Sequence, residues 1–94
     1  MVTANFRRGR DEMNVIHEQH VQQMQSYLAQ SFAITALTTA GYVLEEKPNT
    51  LYKRYRFVEI GDEARQQSLL KKGWVGTSVI AYNEQWMIQF RQEA

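Results

Sequence analysis

His17 and His20 stand three residues apart in a stretch of helical pattern, and an H-x-x-H step can set two imidazoles on one metal ion. Such a site needs a third and a fourth ligand. The chain has no cysteine, and Glu12 and Glu18 fall off the helical stripe that carries the histidines, so the pair reads as histidines on a helix seam and no metal is expected. Nucleophilic chemistry finds no better footing. Ser26, Ser31, Ser68 and Ser78 have no patterned base beside them, and neither a G-x-S-x-G turn nor a glycine-rich phosphate loop occurs. The acidic pairs Asp11-Glu12, Glu45-Glu46 and Asp62-Glu63 suit first helical turns and turn flanks better than general acid–base work. No catalytic, cofactor-binding or metal-ligating residue is assigned, and a non-enzymatic protein is expected. The room left for an enzyme is a site assembled from distant residues, which leaves no local signature.

Binding chemistry is more visible in "YKRYRFVEI", residues 52–60, where aromatics interleave with Lys53, Arg54 and Arg56. Along a strand Lys53, Tyr55 and Phe57 face one way, and Tyr52, Arg54, Arg56 and Val58 the other. Over eight residues the stretch loosely resembles the RNP1 strand of RNA-recognition motifs. Lys53, Tyr55, Phe57 and Val58 match that pattern; Arg54 and Arg56 stand where small residues are expected, and Ile60 replaces the last aromatic. The first strand of that family, with its other stacking aromatic, has no counterpart, because this chain opens with a helical pattern. The basic, aromatic composition of this stretch gives as an alternative a small RNA or single-strand binder using Lys53, Arg54, Tyr55, Arg56, Lys71 and Lys72, with "RRGR" at 7–10 in support. Base stacking would need the aromatics on the open face of a sheet. The expectation preferred on sequence grounds is that Tyr55 and Phe57 are core while Arg54 and Arg56 form a solvated face.

The elements that position these residues are announced by a repeated phrase. "LTTAGYV" at 37–43 and "LLKKGWV" at 69–75 both read as a helix end turning into a strand, with Gly41 and Gly73 as left-handed caps. Asp62 and Glu63 mark the start of a helix over 62–72. After each glycine come two strand patterns joined by turn residues, Pro48-Asn49 in the first copy and Asn83 in the second. In the last of these Trp86, Ile88 and Phe90 alternate with Gln85, Met87, Gln89 and Arg91, which buries one face of a strand. The expected fold is therefore α+β, helix–hairpin–helix–hairpin (αββαββ). It has one four-stranded antiparallel sheet, both helices on one face, and Trp74, Trp86, Ile88, Phe90, Leu37 and Leu69 in the core. Residues 1–94 read as a single domain, with 11–29 a helical extension and 30–60 and 62–92 two αββ units about a pseudo-twofold; chance recurrence of a common junction is the alternative.

The first helical pattern runs from Asp11 to Gly41 and carries two apolar stripes on nearly opposite sides. One is Met13, Ile16, Val21, Met24, Tyr27 and Leu28; the other is Ala29, Ala33, Ala36, Leu37 and Ala40. A sheet can bury only one of them unless the helix breaks near 26–32. The expected use of the first is a homodimer contact, or a docking surface for an unidentified protein, formed by Met13, Ile16, His20, Met24 and Tyr27. With a net charge of +1, 44% apolar and 22% charged residues, the composition is that of an ordinary globular protein, and its charge gives nucleic acid little general attraction. No apolar run approaches the roughly 18 residues of a membrane span, so no membrane contact and a cytoplasmic location are expected. The function expected from sequence is thus a small interaction module, acting as regulator, inhibitor or adaptor without cofactors. Its size would suit an accessory protein of a phage or plasmid. The alternative is the nucleic-acid binder.

Overall fold

The computed structural model describes residues 2–4, 18–38 and 41–94. Its elements in chain order are β1 (Val2–Ala4), α1 (Glu18–Leu28), β2 (Phe32–Thr38), β3 (Gly41–Glu46), β4 (Tyr52–Glu59), α2 (Glu63–Lys71), β5 (Trp74–Tyr82) and β6 (Gln85–Glu93). Five strands of six to nine residues, with the three-residue β1 added at one edge, form an antiparallel sheet in the order β1-β3-β2-β5-β6-β4. Strand accounts for 54% of the described residues. The four-stranded helix–hairpin–helix–hairpin expectation is therefore incorrect, in two places.

The first error lies in residues 32–38, which continue the strand chemistry of Ile34, Thr35 and Thr38 rather than the helix before them. Helix α1 stops at Leu28, and Ser31 at φ 69° turns the chain into β2. Thr35 is left out of the ladder as a bulge, so the core-facing residues of β2 fall at Ile34 and Leu37, three apart. A three-residue spacing imitates a helix. The second error is β4, which does not return beside β3 as the far arm of a hairpin. It pairs on the outer side of β6, from Tyr52 opposite Glu93 to Glu59 opposite Met87.

With these strands in place the chain resolves into two βαββ units, β1-α1-β2-β3 and β4-α2-β5-β6, related by a pseudo-twofold axis. The units share one register. Ile34 faces Leu44 in the first hairpin and Gly76 faces Phe90 in the second; the bulges fall at Thr35 and Thr77, forty-two residues apart. The hairpins meet through β2 and β5 at a single pair, Ile34 with Gly76, which are equivalent positions of the two units. The helices confirm the relation. Gln25 of α1 donates its side-chain amide to Val79 O of β5 (2.9 Å), and Gln67 of α2 donates to Leu37 O of β2 (2.7 Å). Gln25 and Gln67 are equivalent, as are Leu37 and Val79. The repetition visible in sequence is not this one: Gly41 opens β3 at a hairpin, while Gly73 at φ 87° follows the helix, and its true counterpart is Ser31.

Both helices lie on one face, and the core between them and the sheet contains Val21, Met24, Ile34, Tyr42, Leu44, Val58, Leu69, Trp74, Val79, Ile88 and Phe90. Trp74, Ile88, Phe90 and Leu69 are buried as expected; Trp86 and Leu37 are half-buried against the cluster. Helix α2 begins where expected: Asp62 Oδ1 accepts the Arg65 backbone N–H at 3.1 Å. No helix among the described residues is long and apolar enough to cross a membrane.

Candidate nucleic-acid interface

Strand β4 is the outer edge of the sheet, beyond β6, and its alternation divides its side chains cleanly. Val58 opposes the core residue Ile88 and is itself buried, which fixes the parity of the strand. Arg54 and Arg56 share the helix-side face with Val58 and are exposed. Tyr55 and Phe57 take the opposite face, where they pair with Arg91 and Gln89 of β6.

Among the described residues that opposite face carries no helix, and the two rings stand out from it. Tyr55 is 63% exposed and Phe57 39%. The expectation that they are core residues is therefore reversed; Arg54 and Arg56 are solvated, as expected. The rings lie edge to face with centroids 5.6 Å apart and planes at 74°, so each orients the other while one π-face stays open. Gln89 between β4 and β5 is held by Ser78, whose hydroxyl donates to Gln89 Oε1 at 2.9 Å. Ile80, 36% exposed, and Met87 extend the same apolar row across β5 and β6.

The cations surround the edge. Lys53 is a bulge residue between Tyr52 and Arg54 and is exposed. The Arg56 guanidinium lies 5.7 Å above the Trp74 ring, a cation–π contact that holds the long side chain against the sheet end. On the open face the Arg91 guanidinium sits 5.9 Å from the centroid of Tyr52. Lys71 and Lys72 are exposed at the end of α2, and Lys72 shares a recess with Arg56. Of the six residues read from sequence as a nucleic-acid site, five thus gather on β4 and at the recess behind it, while Lys71 lines no part of that recess. Arg65 and Arg91 were missed. Arg65 could have been found, since Arg65, Ser68 and Lys72 share one helical face by spacing; Arg91 becomes visible only once β6 is placed beside β4.

The residues read as a dimer contact are placed differently. Met13 and Ile16 lie outside the described residues, as does the side chain of His20. Met24 is fully buried in the chain's own core, and Tyr27 is half-buried against it, edge to face with Phe32 at 5.4 Å. The apolar stripe of α1 meets β2 and β5 of its own sheet, so Met24 has no surface left for a second chain. Among the described residues no group of three or more His, Asp or Glu side chains could hold a metal ion. Compared with protein families, with curated proteins and with solved structures, the chain finds no match in any of the three.

Proposed function

We propose that this chain is a non-enzymatic binding module whose ligand is a single strand of RNA or DNA laid along β4. The observation that carries the reading is the placement of Tyr55 and Phe57 on the open face of the sheet, where bases can stack, on the same strand as three solvated cations. The low net charge of the whole chain weighs less than it does in the sequence. Residues 52–72 carry Lys53, Arg54, Arg56, Arg65, Lys71 and Lys72 against Glu59, Asp62 and Glu63, so the positive charge is local to this edge. Stacking is worth about 1–3 kcal/mol per base, so Tyr55→Ala together with Phe57→Ala should weaken binding of a labelled single-stranded oligonucleotide by at least about tenfold. Affinity should also fall with salt in proportion to the phosphates neutralised. Anisotropy titrations at low and moderate salt test both, and binding that ignores the double substitution, or no binding at all, would remove the reading.

A second reading, a protein-interaction module, is favoured by one observation: β4 is an eight-residue edge strand open to a further strand. A twofold pairing of β4 with its own copy would set Lys53, Arg54 and Arg56 against like charges. An acidic extended segment suits this edge better than a second copy does. The same titration decides between the two, because an acidic peptide that binds while oligonucleotides do not would select the protein reading.

A further inference from the structure

Behind β4, on the helix side, Arg56, Phe57 and Val58 meet α2 at a recess of about 260 Å³ lined also by Arg65, Ser68, Leu69 and Lys72. Three cations from two elements converge there, and among the described residues no acidic side chain lines it. Arg56 is held by its stacking on Trp74. Arg65 is steadied by Asp62 at the helix start, whose Oδ2 lies 3.8 Å from Arg65 Nε. Ser68 adds a hydroxyl donor on the same helical face.

The pseudo-twofold supplies a control that separates what the fold needs from what this recess holds. Through the helix offset of forty-two residues, Arg65, Ser68, Leu69 and Lys72 correspond to Gln23, Ser26, Tyr27 and Gln30; through the strand pairings, Arg56 corresponds to Val2. The equivalent sequence positions of the first unit thus hold a serine and no charged residue. A βαββ unit folds without the three cations, and they were not needed to close the helix onto the sheet. Like charges brought together at one recess repel one another in the free protein, a cost that an anion removes.

We propose that this recess is a phosphate subsite for a terminal 5′-phosphate, deepening the reading of β4 as a single-strand surface and resting on it for the source of the phosphate. A backbone phosphodiester carries one negative charge, whereas a phosphomonoester carries close to two at neutral pH and three strong acceptor oxygens. Three cations and a hydroxyl match the monoester better. The recess opens on the helix side of the same strand and reaches Phe57, so a chain end anchored at Arg56, Arg65 and Lys72 can turn over the β4 edge and bring its first bases onto the exposed rings. The same phosphate group is also present on a free mononucleotide, which lacks the following bases.

The test compares one short oligonucleotide with a 5′-phosphate and with a 5′-hydroxyl, and a nucleoside 5′-monophosphate, on the wild-type chain and on Arg65→Ala. Arg65 is exposed, so the substitution leaves the core intact. The 5′-phosphate should strengthen binding by about tenfold at low salt, and Arg65→Ala should erase that advantage while weakening the 5′-hydroxyl strand far less, by the loss of one positive charge that any strand would feel. The monophosphate alone should bind more weakly than the phosphorylated strand. Equal binding of the two strands by the wild-type chain overturns the subsite and leaves the single-strand reading standing. If neither strand binds, that reading falls, and the nucleoside 5′-monophosphate is titrated against the amide resonances of Arg65, Ser68 and Lys72. Shifts that disappear in Arg65→Ala keep the phosphate site for a free phosphomonoester; no shifts overturn it too.

Discussion

The two βαββ units share a backbone plan and differ most where they meet and where they face solvent. Where the plan itself is at stake the residues agree: Gln25 and Gln67 tie each helix to the other unit's strand, Leu28 and Leu70 stand in the last turns of the helices, and Thr35 and Thr77 occupy the bulges. At the axis they are complementary instead. Ile34 faces Gly76, a large residue against none, and Lys47 bonds Glu93 at 2.7 Å, two positions equivalent through the β3 and β6 pairings. A twofold homodimer must place identical residues across its axis. Joining the two units in one chain lifts that restriction, so a contact that would be Ile on Ile or Lys on Lys becomes a fitted pair. The same freedom lets β4 gather cations and aromatics while β1 has none.

Exchange across the axis breaks or confirms this comparison, with the largest effect at Gly76. A Cβ there would stand 2.8 Å from Ile34 Cδ1, 2.9 Å from Ile34 Cβ and 3.1 Å from Ile88 Cγ2. Gly76→Ile should therefore cost about 3 kcal/mol, the upper end for overpacking a filled core. Adding Ile34→Gly vacates the space from the other side, and the two sites touch, so the exchanged protein should recover at least about 1 kcal/mol of that loss. Urea midpoints followed by circular dichroism measure both; an exchange no more stable than Gly76→Ile alone would mean the two positions are not equivalent.

An intermediate effect is expected at Gln66, which stands where the first unit has Met24, both fully buried. Gln66 Oε1 accepts from the Tyr42 hydroxyl at 2.9 Å, and its amide donates to Glu59 O and Ile60 O at 2.9 and 2.8 Å. It thus ties the end of β4 and the turn into α2 to β3, which gives the binding strand a fixed end. Gln66→Met, borrowing the residue of the other unit, conserves volume and removes three hydrogen bonds, and should cost about 1–3 kcal/mol. A neutral result would make the difference between the units incidental at this position.

The sequence disclosed those parts of the fold whose period is unbroken. Gln85 to Arg91 alternates strictly, and Asp62 with Gly73 brackets α2 by ordinary capping chemistry; both are present as read. Residues 32–38 were illegible because the bulge at Thr35 replaces a two-residue spacing by a three-residue one. The pseudo-twofold was hidden because its matching residues, "QSYL" with "QSLL" and Thr35 with Thr77, are few and its left-handed residue is serine in one copy and glycine in the other. For the site, alternation in "YKRYRFVEI" separates the aromatics from the arginines but does not say which set faces the core. Hydrophobicity alone assigns Tyr55 and Phe57 inward. The pairing of Val58 with Ile88 decides otherwise, and that pairing depends on β6, thirty residues away.

The smallest effect belongs to Lys47 and Glu93, the charged pair on the axis. Their side chains are 28% and 38% exposed, so water screens the bridge and its removal should cost no more than about 1 kcal/mol. The hydrogen bond to Glu93 raises the Lys47 pKa above its ordinary 10.5, against a smaller opposing effect of burial and with help from Glu45. Burial, aided by Glu93, raises that of Tyr52 above 10.0. A group whose pKa is higher folded than unfolded contributes fully below its unfolded value and loses that contribution as pH rises through the folded one. Both contributions should therefore be intact at neutral pH and decline together from about pH 10 upward, where thermal midpoints of the wild-type chain should fall. Lys47→Glu places two carboxylates at equivalent positions, with Glu45 close by, as a symmetric dimer would. It should lower stability at pH 7 by about 1 kcal/mol, and adding Glu93→Lys should return it to within about 0.5 kcal/mol of wild type. If the reversed pair is no better than Lys47→Glu alone, the complementarity across the axis is steric at Ile34 and Gly76 only, and the charges contribute nothing to how the two units are held together.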